Sequence, residues 1–513
     1  MKRARSEAKF ERPSHNRLNA ILIMCDQLPY NALGCTGHPL EKTPNIDSLA
    51  AGGTSFSNAF AQSTVCVPSR ACQLTGLYPS NHGILDNVFN LEIMHPRARM
   101  LTDSFYDQGY ATAHFGKWHC GKPHTQCKWT EFKFLEESVA IWPQTELERF
   151  KNAGPTFLTS NGIVDAATHP LSKENTGPAR ITDYGIDFLE RFAYQPFFLR
   201  LSYLGPHSPV LVPKPFDTMY SPEQIQLPAY GDEEMANRPK SVRAFQRSCI
   251  EGVRKNNCGM PSGQALRTHI AYSLGLISHI DDQIGRILQA LDTLGLRENT
   301  VVVFTTDHGA FWGEHGMVQK SCATHYRSLL NIPLIMTCPG HIPPGKTVEG
   351  FIEEVDILPT LMDIAGIEHP YKINGQSARK ALQGDVSVCR QDVFAETMIS
   401  PGGYAVASLR DNRWHFIWHA ATGETELYDM RNDLHERFNC AGDAGNTAVI
   451  EECKGRLLSR MMNGRNVHLI PDSPHLNRSP IYLAPGYDEK THQRAMIDFY
   501  FGARSDEFPR AKA

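Results

Sequence analysis

Runs of apolar residues alternate along this chain with stretches of helical periodicity, and this alternation restricts the folds it can adopt. Between Ile270 and Leu291, apolar residues recur at spacings of three and four, which places them on one face of a helix. Strands alternating with such helices predict an α/β fold with a large, mainly parallel sheet between layers of helices. The runs that we interpret as buried strands are Ala20 to Met24, Phe197 to Tyr203, Val301 to Thr305 and Pro333 to Thr337.

The chain of 513 residues is longer than one compact core usually holds, so we expect a large domain and a smaller one. After about residue 391, Tyr404 to Ser408 and Trp414 to Trp418 are typical of short antiparallel strands, and Thr447 to Met462 of a final helix. The predicted divisions are a catalytic domain over 1–390, a smaller antiparallel sheet-and-helix (α+β) subdomain over 391–463, and an extended tail over 464–513.

Two further segments lack a clear period. Between about Val212 and Gly263, Pro, Gly, Asn and charged residues dominate, which indicates an excursion over the surface near the mouth of a site. The tail after Asn463 is rich in Pro, Arg and His, and we interpret it as a segment that wraps a neighbouring subunit. A homo-oligomer, either a dimer or a tetramer, is therefore expected.

Charge and targeting signals exclude several classes of partner. The 51 basic and 55 acidic residues leave a net charge of -4, so no excess charge indicates nucleic acid or an anionic membrane. The first 17 residues are basic and polar, and the apolar run that follows is too short for a signal peptide or a membrane span. Thirteen scattered cysteines, an odd number, are typical of free thiols. We predict a cytoplasmic protein.

The strongest local motif is Cys66-Val67-Pro68-Ser69-Arg70, followed by Leu74-Thr75-Gly76. The cysteine precedes a turn stiffened by proline, and an arginine follows four residues later. What comes next has the character of a helix start, which provides backbone N–H groups and a fixed cation near the side chain. By itself, the motif also fits a buried cysteine beside a structural arginine.

Acidic residues end two of the predicted strands. Asp26 ends the first, and Asp307 and His308 follow Val301 to Thr305. Because ligands gather at the carboxyl ends of parallel strands, these side chains are expected at one edge of the sheet. Two carboxylates and an imidazole suit a divalent metal with mostly oxygen ligands.

The segment from Cys66 to Gly76 resembles the signature of formylglycine-dependent (type I) sulfatases, and similar segments follow in the family's order from Asn19 to about Asp443. This family has the alkaline-phosphatase-like fold. The resemblance implies that Cys66 is oxidised to formylglycine by a formylglycine-generating or equivalent maturation enzyme. It also implies that Asp26, Asp307, His308 and the oxygen of residue 66 bind one divalent metal, Ca²⁺ first, with Mn²⁺ or Mg²⁺ as alternatives. Gln27 is the further candidate ligand, at a position where many sulfatases have a second Asp.

A cationic set carries the second part of the resemblance. Gly116-Lys117-Trp118-His119 is similar to the family's G-K-W-H stretch, and His207 and Lys320 follow two predicted strands. Sulfatases use lysine and histidine at such positions to hold the sulfate oxygens and to assist the leaving alcohol. Asn87 is a weaker candidate for substrate contact, and three histidines are interpreted as weak or structural candidates, namely His82, His315 and His325.

The implied chemistry is the hydrolysis of a small-molecule sulfate ester. Formylglycine hydrates to a geminal diol, one hydroxyl attacks sulfur, and the second hydroxyl later expels sulfate and restores the aldehyde. Arg70 holds the nucleophilic oxygen, Asp307 takes its proton, and His207 or Lys320 protonates or stabilises the leaving alcohol. Neither a thiol nor a serine hydroxyl has the second hydroxyl that the last step needs.

Two alternative functions stay open. Phosphonate monoester hydrolases and phosphodiesterases of the same superfamily resemble this chain in Asp26-Gln27 and in the long tail, whereas Lys117 and His119 resemble sulfatases. A non-catalytic, metal-binding relative is the third interpretation, and it predicts a missing nucleophile or missing ligands. The sequence does not indicate which alcohol carries the sulfate.

Overall fold

The computed structural model describes residues 17–85, 87, 99–120, 127–135, 144–158, 164–250, 263–369, 372–398, 405–420 and 422–463. The strands are β1 (Asn19–Asp26), β2 (Thr54–Phe60), β3 (Ala111–Gly116), β4 (Glu131–Phe134), β5 (Thr156–Leu158), β6 (Val164–Thr168), β7 (Phe197–Pro206), β8 (Val210–Val212), β9 (Thr300–Thr306), β10 (Phe311–Trp312), β11 (Val318–Gln319), β12 (Asn331–Thr337), β13 (Lys346–Val348), β14 (Ile352–Glu353), β15 (Val393–Met398), β16 (Ala405–Arg410), β17 (Trp414–His419) and β18 (Glu424–Asp429).

The helices pack around these strands and connect them. They are α1 (Pro44–Ala51), α2 (Cys66–Thr75), α3 (Pro79–His82), α4 (Thr102–Asp107), α5 (Gln144–Ala153), α6 (Gly177–Phe192), α7 (Asp232–Ala236), α8 (Lys240–Ile250), α9 (Gly263–Thr293), α10 (Arg327–Leu330), α11 (Ile357–Ala365), α12 (Arg379–Leu382) and α13 (Thr447–Asn463). The four strands and the two helices predicted from the apolar runs and their periodicity are all present within these bounds.

A nine-stranded sheet forms the centre of the molecule, in the order β13-β2-β12-β9-β1-β7-β3-β4, with β14 also paired to β2. Strands β9, β1, β7, β3 and β4 pair in parallel, and β12 runs antiparallel to β2 and β9. The predicted α/β fold with a mainly parallel sheet is therefore confirmed.

Both faces of this sheet are covered, which explains why its strands are apolar throughout. Along β1, Ile21 and Ile23 belong to one buried cluster with α9, whereas Ala20 and Leu22 belong to a second cluster with α11. Side chains that alternate across a strand are thus buried on both sides, as parallel sheets require.

The chain after residue 391 forms a four-stranded antiparallel sheet, β15-β16-β17-β18, followed by α13. Its short antiparallel strands and final helix agree with the sequence prediction. The numerical domain bounds stay a prediction, and the tail over 464–513 lies outside the described residues.

Within the described residues between β8 and α9, which end at 250, the structure differs from the expected surface excursion. Here α8 buries an apolar face made by Val242, Phe245 and Cys249. Their spacings of three and four are helical, but two arginines, a glutamine and a serine lie between them and hide the pattern over so short a length. Among the described residues, no helix is long and apolar enough to cross a membrane.

Candidate active site

Four neighbouring parallel strands end at one edge of the sheet, and each delivers a candidate side chain there. Asp26 is the last residue of β1, and Asp307 follows β9 directly. His207 follows β7, and Lys117 follows β3. Since β9, β1, β7 and β3 are adjacent in the sheet, residues far apart in sequence converge at a single site.

The turn after β3 requires glycine. Gly116 has a φ of +107°, and a Cβ at this position would lie 2.1 Å from the backbone oxygen of Ser202. The backbone N–H of Lys117 donates to that same oxygen at 2.9 Å. Close approach of β3 to β7 thus directs Lys117 into the site, where its Nζ lies 2.9 Å from Oδ2 of Asp26.

Cys66 is the first residue of α2, and the whole helix is buried. The N–H of Val67 donates to Oδ1 of Asn87 at 2.9 Å, so Asn87 satisfies one of the free donors at the start of this helix. Ser69 Oγ lies 2.8 Å from a carboxylate oxygen of the buried Glu354 and 2.5 Å from the backbone oxygen of Asp307. The start of α2 is therefore fixed from several sides.

Asp26, Cys66, Asp307 and His308 form a compact buried group. Each offers one ligand atom, and these atoms all lie within 4.8 Å of one another. The Sγ atom of Cys66 is 3.2 Å from Nε2 of His308 and 3.5 Å from Oδ1 of Asp26. Two carboxylates, an imidazole and a side chain at position 66 constitute a donor set that fits a divalent cation.

Arg70 lies beneath this group and is fully buried. Its Nη2 donates to Asp26 Oδ2 at 2.7 Å, and its Nε donates to Asp307 Oδ2 at 2.8 Å. Its Nη1 donates to Ser202 Oγ at 2.9 Å and to the backbone oxygen of Lys117 at 3.1 Å. Burial by itself would raise the pKa of Asp26, but Lys117 and Arg70 outweigh it and hold that pKa well below the usual range.

Lys320 and His207 form a second pair. Lys320 Nζ donates to His207 Nε2 at 2.7 Å and to Gln27 Oε1 at 2.8 Å. Gln27 Nε2 in turn donates to Gln319 Oε1, and the Gln27 backbone N–H donates to Asp307 Oδ1 at 3.0 Å. Burial, followed by the charges of Lys320 and Lys117, keeps the pKa of His207 well below its ordinary value, so its imidazole is neutral.

Comparison with known proteins identifies the family. The sulfatase family model matches residues 18–367, and a model described as N-sulphoglucosamine sulphohydrolase, C-terminal, matches residues 313–463. This chain belongs to the sulfatase family. The arylsulfatase of Clostridium perfringens (strain 13 / Type A) is 30% identical over 456 residues, covering 82% of this sulfatase and 89% of that protein.

Relatives with other printed activities are also similar. The multifunctional alkaline phosphatase superfamily protein PehA of Trinickia caryophylli is 27% identical over 497 residues, covering 86% of this chain and 95% of the relative. The crystal structure of the phosphonate monoester hydrolase of Agrobacterium radiobacter superposes with a TM-score of 0.74 at 25% identity, covering 87% and 96% of the two chains. The expected sulfatase family and its alkaline-phosphatase-like fold are thus confirmed.

Three residues of this sulfatase near the candidate site have an uncommon backbone conformation. Gln27, His119 and Gln319 have φ values of +63°, +47° and +63°, in the left-handed region that favours glycine. Such strain tends to occur at functional sites, where the surrounding structure enforces it. In addition, the buried Nδ1 of His119 has no hydrogen-bond partner among the described residues.

The three weaker histidine candidates are placed elsewhere in hydrogen-bond networks of the sulfatase. Nε2 of His82 is 3.4 Å from Cys72 Sγ. Nδ1 of His315 is 3.3 Å from a carboxylate oxygen of Glu234. His325 is within 3.0 Å of Thr397 and Ser408 through its two ring nitrogens. These contacts agree with structural roles for His315 and His325.

Sequence reasoning did not single out four residues that contact the site. Gln319 directly precedes the candidate Lys320, and Ser202 lies on the predicted strand that leads to the candidate His207. Nearness in sequence to these candidates was the available signal for both residues. Ser69 lies within the cysteine motif. Glu354 carried no signal, because it contacts Ser69 from 285 positions away in the sequence.

Proposed function

We propose that this sulfatase hydrolyses sulfate esters of small molecules and that residue 66 carries the nucleophile as formylglycine. The observation that supports this is the environment of Cys66: a buried helix start facing Asp26 and His308, with Arg70 on both carboxylates of the group. A hydrated aldehyde at this position supplies an attacking hydroxyl and a second hydroxyl to release sulfate. Since Cys66 is fully buried, its maturation enzyme must act before the chain folds.

The donor set fits one divalent cation, with Ca²⁺ preferred for its oxygen ligands. Asp26, Asp307, His308 and the oxygen of residue 66 would hold it. A carbonyl oxygen has two lone pairs, so Gln27 Oε1 can also serve as a ligand while it accepts from Lys320. When bound, the cation supplies positive charge to the reacting oxygens.

The cationic residues around this group are assigned to substrate binding and to the leaving alcohol. Lys117 lies against Asp26, and Nδ1 of His119, which has no hydrogen-bond partner within the described part of the chain, is assigned to a substrate atom. A sulfuryl group in transfer spreads negative charge over its oxygens, which fixed positive charges stabilise. Lys320 lies against both His207 and Gln27, and with His207 it would protonate or stabilise the departing alkoxide.

A second candidate function is the hydrolysis of phosphonate monoesters or phosphate diesters. It is favoured by Gln27 at its position and by the similarity to the phosphonate monoester hydrolase structure and to PehA. Lys117, which contacts Asp26, and His119 favour sulfate esters, because sulfatases use lysine and histidine at such positions to hold the sulfate oxygens. The transition states share geometry and charge, so low activity on the other ester class is expected.

The deciding measurement is kcat/KM on 4-nitrophenyl sulfate and on a 4-nitrophenyl phosphonate monoester, with the mass of residue 66 determined on the same preparation. We expect formylglycine at residue 66 and a clear preference for the sulfate. Cys66→Ala should fold normally and lose turnover on both esters. A preference for the phosphonate would establish the second candidate function instead, and retained activity of Cys66→Ala would reject residue 66 as the nucleophile.

Chelation tests the cation assignment. Dialysis against a calcium chelator is expected to lower kcat by at least about a hundredfold and to lower the melting temperature, because the buried carboxylates lose a counter-charge. Titration with Ca²⁺, Mn²⁺ or Mg²⁺ should restore both properties, and the ion that restores them at the lowest concentration is the native candidate. Unchanged activity in metal-free protein, verified by elemental analysis, would contradict the assignment.

A further inference from the structure

A chain of hydrogen bonds leads from Lys320 into the body of the molecule. Lys320 Nζ donates to Gln27 Oε1 at 2.8 Å, and Gln27 Nε2 donates to Gln319 Oε1. Gln319 Nε2 donates to Ser208 Oγ at 2.6 Å, and Ser208 Oγ donates to Asp165 Oδ1 at 3.5 Å. All four links run in the same direction, from an ammonium group to a carboxylate.

Asp165 anchors the far end of this chain. It lies on β6 and is 5% exposed, and its Oδ2 accepts from Nδ1 of His269 on α9 at 2.9 Å. A second branch returns from Ser208 to the site: His207 Nδ1 donates to the backbone oxygen of Ser208 at 2.6 Å. Ser208 is thus linked to both members of the Lys320–His207 pair. It reaches Lys320 through Gln319 and Gln27, and it contacts His207 directly.

The two ends of this chain agree on the direction of every link, since the Lys320 ammonium group can only donate and the Asp165 carboxylate accepts. An ionised carboxylate can only accept, so Ser208 must donate to it, and the Ser208 oxygen is left as an acceptor. Gln319 must then present its NH₂ group to Ser208 and its oxygen to Gln27. Gln27 in turn presents its NH₂ group to Gln319, which leaves its own oxygen facing Lys320.

We propose that Asp165, Ser208 and Gln319 are positioning residues that hold Lys320 against His207 at the leaving-group end of the site. This inference rests on the proposed function, in which that pair assists the departing alcohol. The Lys320 ammonium group sits on a flexible four-carbon stem, so fixed acceptors are needed to keep it in one place. Because the His207 Nδ1–H is engaged by Ser208 and its Nε2 accepts from Lys320, the proton for the leaving group resides on Lys320.

The proton balance of that step is simple. When the bond between sulfur and the ester oxygen breaks, its electron pair stays on the ester oxygen, which takes a proton from the Lys320 ammonium group. The sulfuryl group is transferred to the hydroxyl oxygen of residue 66, whose own proton passes to the Asp307 carboxylate, and Lys320 regains its proton from water. An alkoxide depends strongly on this proton, whereas a nitrophenolate leaves readily without it.

The test compares leaving groups. Asp165→Asn, Ser208→Ala and Gln319→Met are measured for kcat/KM on 4-nitrophenyl sulfate and on hexyl sulfate, in the metal-loaded, formylglycine-containing enzyme. We expect each variant to lose about tenfold more activity on the alkyl ester than on the aryl ester. If the Lys320 ammonium group is displaced, cleavage slows most for the alkoxide, which is the poorer leaving group. Equal losses on the two esters would overturn the proposal.

Two matched controls separate positioning from general loss of structure. Asp217→Asn changes another buried aspartate, which accepts from Thr168 Oγ1 at 3.0 Å. Ser273→Ala removes a buried hydroxyl on α9, which donates to the backbone oxygen of His269 at 2.9 Å. Both controls should leave the ratio of the two activities unchanged, and a shift as large as in the chain variants would reject the proposal.

Two further measurements keep the outcome decisive. Ser208→Thr retains the hydroxyl and should restore the wild-type ratio, even if Ser208→Ala folds poorly. If the wild-type enzyme prefers phosphonates, the proposed function fails, but the same comparison with aryl and alkyl phosphonate monoesters still tests the positioning role. The two hypotheses therefore fail independently.

Discussion

At the scale of single residues, Arg70 supplies the positive charge that pairs with two buried carboxylates of the site. Its guanidinium group reaches Asp26, Asp307 and Ser202 with three different nitrogens, a geometry that only a planar fork provides. The same contacts place a cation on two carboxylates of the buried group that contains Cys66. Arg70 therefore combines a structural requirement with an electrostatic one.

Replacement of Arg70 by lysine is predicted to be damaging although the charge is kept. One ammonium group cannot contact both carboxylates in the arginine's geometry, so the free energy of unfolding should fall by about 3 kcal/mol. Urea denaturation of Arg70→Lys measures this change. Arg191→Lys, at an ion pair with Glu131 where the arginine is 44% exposed, is the control and should change by less than about 1 kcal/mol. Equal effects in the two variants would contradict the prediction.

At the scale of elements, the contact of α9 with the segment before α1 contains a buried acid. Glu41 is 7% exposed, and its Oε1 accepts from Ser278 Oγ at 2.8 Å and from Tyr220 Oη at 3.2 Å. Its Oε2 has no hydrogen-bond partner among the described residues. Burial raises the pKa of Glu41 from 4.5 to about 8, so the folded state holds the protonated form at neutral pH.

This raised pKa predicts a pH-dependent stability. The unfolded chain releases the proton near pH 4.5 and the folded chain near pH 8, so the contribution of Glu41 is complete below the first value and lost towards the second. Glu41→Gln cannot ionise. Relative to wild type, it should gain about 2–4 kcal/mol in unfolding free energy between pH 5 and pH 8. Parallel stability profiles for the two proteins would show that Glu41 does not titrate in this range.

At the scale of the whole molecule, buried polar contacts join the small antiparallel sheet to the segment before β12 of the central sheet. Glu426 on β18 accepts through Oε2 from Tyr326 Oη and from Tyr428 Oη, each at 2.5 Å, and through Oε1 from His419 at 2.8 Å. The Arg238 guanidinium group lies 4.6 Å from the centre of the Tyr326 ring. Tyr326 immediately precedes α10, which leads into β12, so these bonds attach the small sheet to a connection of the central sheet.

A double-mutant cycle on the two tyrosines tests this connection. Tyr326→Phe and Tyr428→Phe should each lower the unfolding free energy by about 1–2 kcal/mol, since Glu426 Oε2 keeps one donor in either variant. The double variant removes both donors and should cost more than the sum by at least about 0.5 kcal/mol. Urea denaturation of the four proteins measures the coupling, and strict additivity would mean that the two hydroxyls stabilise the protein independently.

Local patterns allowed much of this architecture and the principal residues of the candidate site to be predicted. The apolar runs identified β1, β7, β9 and β12, because a strand buried on both faces needs apolar side chains at successive positions. The cysteine motif and the acids at strand ends identified Cys66, Asp26 and Asp307. Short-range periodicity was insufficient for α8, where polar residues interrupt an apolar face of only three residues.

The sequence alone therefore determined the elements, the family resemblance and the candidate chemistry, since each of these is expressed in short segments of chain. Only the tertiary structure decided which side chains meet. Arg70 contacts Asp307 across 237 positions, Lys320 contacts Gln27 across 293, and Gln319 contacts Ser208 across 111. Such pairings follow from the order of the strands in the sheet and from the burial that excludes water from their hydrogen bonds, and neither property is encoded in any local segment.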